Sequence, residues 1–238
     1  MADKIERMSE RLAALLRDLA SNPDYASGRR RYPRTVTADD AADIAEAFHE
    51  QVDKGVEMRG EVAKRQLQVI ACSRGCHACC NEPIMVTLPE AMAVARWLDR
   101  PENAAARAGF MARYETWRAQ ALDNAHGLAE ASARGDAAEA IRLHRAARSL
   151  CPLNQGGDCS VYPVRPLLCR SAHALETSER CGRMDKGEVQ ALDYTPLEQF
   201  IAKAKEALWA AHHALPNTPR RLFFPLPEAV YAVLTGTR

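Results

Sequence analysis

Aromatic side chains are scarce in this chain, at 6% of residues, and neither sign of charge prevails, the formal net charge being +1. Few aromatics beside abundant alanine favour helices over strands. A near-zero net charge leaves no global field to draw nucleic acid or an anionic membrane, so neither partner is expected. No apolar run approaches the ~20 residues that a membrane span needs. The opening Met1-Ala-Asp-Lys4-Ile-Glu6-Arg7 lacks the apolar core of a secretion signal. A reducing cytoplasm is therefore the expected location, and there cysteine-rich patterns mean metal or redox chemistry more often than disulfides. The chain also lacks a nucleophile elbow, a phosphate-binding glycine loop, a zinc-protease helix motif, internal repeats and low-complexity tracts.

What is present is cysteine, eight of them in two groups. Cys72, Cys76, Cys79 and Cys80 form the first; Cys151, Cys159, Cys169 and Cys181 form the second. Thiolate suits zinc and iron–sulfur clusters better than hard cations, so a metal-chelating protein is the central reading. Cys76 and Cys79 make a C-x-x-C knuckle able to place two sulfurs on one metal. Cys72 lies one helical turn before Cys76. Adjacent side chains usually diverge, which would send Cys80 to a different metal, or a different iron, from Cys79. A multinuclear centre and two separate four-thiolate sites both remain open. Buried cysteines acting as small hydrophobes would be scattered, and these are not. The Cys72-x-x-x-Cys76-x-x-Cys79 spacing also matches that of radical S-adenosylmethionine enzymes. Those usually carry an aromatic where this chain has Ala78, and continue into a β/α barrel where this chain continues into helices.

The expected fold is mostly α, an irregular cysteine-rich metal-binding centre surrounded by helices. Residues 1–36 read as an N-terminal amphipathic helix, with Ile5, Met8, Leu12, Leu15, Leu16 and Leu19 at helical spacing, followed by a linker holding Arg29, Arg30, Arg31 and Arg34. The basic run is expected to be a solvated turn more than a phosphate or acidic-protein contact. Residues 37–238 read as the metal-chelating domain. Thr37 opens a helical stretch that Gly55 or Gly60 could divide in two. A helical insert occupies about 81–150: Ile84-Met85-Val86 is strand-like, Thr87-Leu-Pro-Glu90 is a capping box, Pro101 opens a second helix and Asp136 caps a third. Asn154–Asp158 reads as a flexible turn, Ser160-Val161-Tyr162 as β-prone, Thr195-Pro196 as a helix start, and Pro227–Thr235 as a last helix closed by Gly236.

Both cysteine groups together resemble the YkgJ family of zinc- or iron-chelating proteins, named for its CxxCxxCC-type cluster. The first signature corresponds to Cys72, Cys76, Cys79 and Cys80, followed by the helix from Thr87. The second corresponds to Cys151-Pro152-Leu153 and then Cys159-Ser-Val-Tyr162-Pro-Val-Arg165-Pro166-Leu-Leu-Cys169-Arg170, its most specific part. The likeness covers roughly Cys72 to Cys181 and leaves the insert unclaimed. After Arg170 many relatives carry an aromatic residue where this chain has Ser171-Ala172-His173. The resemblance implies zinc or iron bound by the eight cysteines. Because the family includes flagellin lysine methylases, it also admits a cluster-dependent enzyme.

Arg165 and Arg170 flank Cys169 and are expected to donate hydrogen bonds to thiolate sulfur, or to sit in surface ion pairs. Tyr162 is expected to pack over the site or fill core. His77 and His173 are within reach, but eight thiols leave no need for them. His212 and His213 are expected to be solvated near a helix C-terminus. Three functions stay open: a structural or metal-handling module, with a metal ion and conceivably a protein as partners; an electron-transfer protein, which requires iron; and a methylase-like enzyme.

Overall fold

The computed structural model describes residues 2–175 and 195–237. Among them are nine α-helices and four two-residue strands, so the protein is mostly α. No helix among the described residues is long and apolar enough to cross a membrane.

The first core gathers α1 (Ala2–Ala20), α2 (Pro23–Ala26), α3 (Ala38–Arg65) and α8 (Thr195–Ala214). Leu19, Tyr25, Tyr32 and Val36 pack with Ile44 and Val52 of α3 and with Ile201 and Leu208 of α8. Full burial of each such side chain contributes roughly 1.5–3 kcal/mol. The segment expected to be a linker is thus docked: Tyr25 and Tyr32 meet edge to face at 5.3 Å, and the Tyr32 hydroxyl donates to Asp18 at 3.0 Å. Thr37 caps α3 reciprocally with Asp40, each accepting at 3.1 Å from the other's amide. α3 is one unbroken helix, not two. A Cβ on Gly55 would lie 2.7 Å from Leu197 Cδ1, so this glycine serves the close approach of α8 and does not mark a break.

The second core is built by α4 (Leu88–Leu98), α5 (Ala104–Arg134) and α9 (Leu226–Thr235). Val94, Leu98, Phe110, Tyr114, Trp117 and Val230 pack there with Leu153, Val161 and Val164 from the second cysteine segment. Tyr231 stacks on Tyr114 at 3.9 Å. α6 (Ala137–Ala147) lies along α5, capped by Asp136, whose side chain accepts from the Glu139 amide at 3.1 Å. α4 is the wall the two cores share. It sends Leu88, Met92 and Ala93 into one and Ala91, Val94 and Leu98 into the other.

The strands are short because they only fix crossings. β1 (Met85–Val86) pairs antiparallel with β4 (Phe224–Pro225), which anchors the start of α9 beside the start of α4. β2 (Asn154–Gln155) and β3 (Asp158–Cys159) form a hairpin. Ser160-Val161-Tyr162, expected to be β-prone, joins no named strand; a 3₁₀ turn, Tyr162–Val164, begins at its last residue, where Pro163 has no amide to give a ladder.

The pair His212-His213 departs from expectation. His212 is fully buried, sits 5.3 Å from the His213 ring, and has its Nε2 3.4 Å from the Pro219 carbonyl. Burial holds its imidazole down at about 4. Between pH 6.5 and about 4 the unfolded chain binds a proton that this folded imidazole refuses. Stability from this group is therefore full above pH 6.5 and is lost as pH falls through that window, by at most ~3 kcal/mol. Thermal melts of wild type and His212→Gln from pH 7.5 to 4 should show a shallower fall in the variant. Parallel curves would refute the assignment.

Candidate metal centre

The segment before the first cysteine group and the segment after Cys169 run against each other. Ile70 and Leu175 form an antiparallel bridge, and Ala71 donates to the Ala174 carbonyl at 2.9 Å. This clasp sets Cys72, whose sulfur accepts from the Ala174 amide at 3.2 Å. Cys79 and Cys80 follow on a 3₁₀ turn, Ala78–Asn81. Adjacent on that tight turn, both thiols line the cavity described below.

The second group is brought to the first by backbone contact. The Cys151 amide donates to the Cys80 carbonyl at 2.7 Å. The β2–β3 turn is Gly156-Gly157, with φ of 61° and 94°. Positive φ at both positions is what a two-residue hairpin of this hand requires and what glycine supplies. The expected flexible turn is therefore a tight one, and it pairs Asn154 with Cys159. Asn154 is buried, accepts from the Gly157 amide at 3.0 Å, and directs its Nδ2 at the Cys80 sulfur, 3.7 Å away. Cys169 sits on the short helix α7 (Leu167–Ser171). The free amide of Leu167 at its start donates to Glu90 Oε1 at 3.1 Å, while Glu90 Oε2 accepts from the Thr87 amide and hydroxyl at 2.9 Å each.

Cys76, Cys79, Cys80, Cys151, Cys159 and Cys169 line one cavity of about 60 Å³, walled by Tyr162, Arg165 and apolar residues such as Ile84, Leu153 and Leu226. Cys79 is the hub: the thiols of Cys72, Cys80, Cys151, Cys159 and Cys169 all lie within its electrostatic reach. Cys72 stands outside the cavity lining, near Cys76 and Cys79 and close to Arg59. Cys181 falls outside the described residues. All seven described cysteines are free and half-buried. Burial pushes the Cys151, Cys159 and Cys169 thiols up; for Cys79 the hydrogen bond with Cys80 is the larger cause and burial the second. Arg165 opposes this at Cys79, Cys159 and Cys169. Neutral thiols are thus favoured at these four positions, and a thiolate-binding metal would have to displace their protons. Among the described residues, no three His, Cys, Asp or Glu side chains converge on one point fit for a single ion. The thiols surround a volume instead.

The arginines divide. Arg165 lies 3.7 Å over the Tyr162 ring at the cavity wall, so Tyr162 packs at the site. Arg170, expected either to reach sulfur or to sit in a surface ion pair, is buried and pairs with Asp53, its guanidinium also donating to the carbonyls of Arg165 and Pro163. It holds the loop around Cys169 in shape. Arg59 bonds the Ser171 carbonyl at 2.7 Å and the His173 ring, which occupies His173 away from the cavity. Burial and Arg59 hold His173 down at about 4. His77 is absent from the cavity lining. Glu82, just after the first group, takes His144 at 2.6 Å and Arg148 at 3.0 Å, which fastens the insert to the site. Sequence reading missed Glu82, Asn154, Arg59 and Asp53. It recognised Glu90 as a cap but not as the partner of α7.

Comparison with family models, with curated proteins and with solved structures finds no match to this chain.

Glu90 gives a direct test of the framework. Glu90→Gln keeps the shape but replaces one accepting oxygen with an NH₂ group, leaving either the Leu167 amide or the Thr87 amide facing a donor. A buried group left unpaired costs about 1–3 kcal/mol. The urea midpoint of unfolding should fall accordingly in Glu90→Gln, and an unchanged midpoint would remove Glu90 from this role.

Proposed function

We propose that this protein binds metal through thiolates of both cysteine groups in one shared centre, with an iron–sulfur cluster as the preferred occupant. The observation that carries the reading is the single cavity lined by six thiols drawn from both groups. Its volume of about 60 Å³ is several times the 10–15 Å³ that one water needs, which suits a group of several heavy atoms. In a cluster each iron takes few protein ligands and inorganic sulfide supplies the rest, so widely spread thiols are what it requires. The donor set fits: Cys79 at the hub, Cys76, Cys80, Cys151, Cys159 and Cys169 around it. The resemblance to the YkgJ family, with its paired cysteine signatures, supports the same reading. Cys72 and Cys181 belong to the proposed set through that resemblance.

When bound, a cluster would supply one-electron chemistry. The chain's own residues have other tasks. Arg165 opposes thiolate charge. Tyr162, Ile84, Leu153 and Leu226 limit water at the centre. Asn154 and the Ala174 amide donate to sulfur. Eight thiols must stay reduced to serve this role, which fits the cytoplasm. Zinc is the second reading, favoured by the Cys76-x-x-Cys79 knuckle, and it would make the centre structural or storage rather than redox-active. Electron transfer and a methylase-like reaction both require the iron form.

Protein purified without oxygen should be brown and contain iron and sulfide. A colourless protein with zinc would select the second reading, and metal-free protein that takes up neither would refute both. Cys76→Ser and Cys169→Ser should each lose most of the metal, because a serine hydroxyl stays protonated near neutral pH and is a poor soft-metal ligand. His173→Ala should keep it. Elemental analysis beside circular dichroism measures this, and full occupancy in both cysteine variants would refute the ligand assignment.

A further inference from the structure

Among the described residues a more spacious cavity adjoins the thiol cavity. A groove of about 600 Å³ runs along its far wall, between α5, α7 and α8. The two share that wall by alternation: Ile84 and Pro166 line the thiol cavity, while their neighbours Met85 and Leu167 line the groove. Leu128, Ala129, Leu208 and Trp209 complete an apolar lining, and Phe223 packs edge to face on Trp209 at 5.9 Å. Volume and lining are those of a small-molecule site, in which an apolar surface is joined by a few placed polar groups.

Those polar groups decide the ligand's charge. Glu90 gives both oxygens to Thr87 and Leu167. His144 is taken by Glu82. Lys205, exposed at the rim, acts through space on the buried Glu90 but makes no ion pair or hydrogen bond among the described residues. We propose that the groove binds a small amphiphilic anion, with its apolar body along Leu128, Leu208 and Trp209 and its carboxylate or sulfonate on Lys205. The proposal goes beyond the metal reading and does not depend on what the thiol cavity holds.

The probe is 8-anilinonaphthalene-1-sulfonate, an aromatic body with one anionic group, titrated into the protein as purified and followed by its fluorescence. Saturable one-to-one binding is expected, with displacement by dodecanoate. Dodecanol, of the same length but uncharged, should displace it about threefold less well, and Lys205→Met should remove that difference. Ala133→Trp and Ser132→Trp, at exposed positions that line the groove, should each block binding while melting temperature and near-UV circular dichroism stay as in wild type. Non-saturable binding, or binding unaffected by both tryptophans, overturns the site. Equal displacement by dodecanol and dodecanoate overturns the anion. Binding to anionic phospholipid vesicles but not to dodecanoate would make the surface a membrane contact and overturn the small-molecule assignment.

Discussion

One buried carboxylate joins the two halves of the candidate centre. Glu90 is 6% exposed, caps α4 through Thr87 and holds the first amide of α7, the helix that carries Cys169. Burial pushes its acid up, and the three hydrogen bonds pull the other way. A carboxylate that deep survives because its oxygens are met by donors that have no other partner: the amides at two helix starts. The same bonds fix where the second cysteine segment meets the first. α4 in turn is held on both sides, with one face in each core, so neither core can shift without moving the site.

Much of the fold was legible in the sequence because local chemistry and tertiary structure agree. Thr37 with Asp40, Thr87 with Glu90, and Asp136 with Glu139 mark helix starts, and the structure has helices there. Met85-Val86 is a strand, and the last helix ends at Gly236 in the left-handed region. What was not legible depended on what lies opposite. Gly55 looks like a break until Leu197 is placed against it. His212 looks solvated until Pro219 and Phe224 close over it. The Arg29–Arg34 stretch looks like a free linker, but Tyr25, Tyr32 and Val36 tie its surroundings into a core.

The candidate site divides in the same way. Residue types and spacing singled out the thiols, since few other roles gather cysteine so tightly. Spacing along the chain could not say how the groups are shared. The structure mixes them: Cys79 lies at the hub with Cys151, Cys159 and Cys169, across the sequence gap. The supporting residues were invisible because their roles are relational. Asn154 matters for its distance to Cys80, and Glu82 for its pairing with the insert. The place of Arg170 beside Cys169 left sulfur donation and an ion pair both open, and its helix turns the guanidinium toward Asp53.

Behind the thiols lies a layer of buried cationic and imidazole groups that points the same way as the cysteines. Arg59 and Arg170 are each 2% exposed, and burial lowers both below the ordinary arginine value. Asp53 answers Arg170. Arg59 meets a carbonyl and a histidine held neutral by burial, and the carboxylate that acts on it, Glu198, is exposed and makes no hydrogen bond to it. His49, 3% exposed and held at about 3 by burial with Arg170 and Arg165 behind it, adds no negative charge either. A buried charge that is only partly compensated carries a desolvation cost. Neutral thiols do nothing to offset that cost. On the proposed reading, the metal-bound thiolates add counter-charge to that of Asp53 and Glu198, and the arginines in return offset the negative charge of the centre. Layer and centre would then stabilise each other, which makes metal binding part of the folding energy of this region rather than an addition to a finished fold.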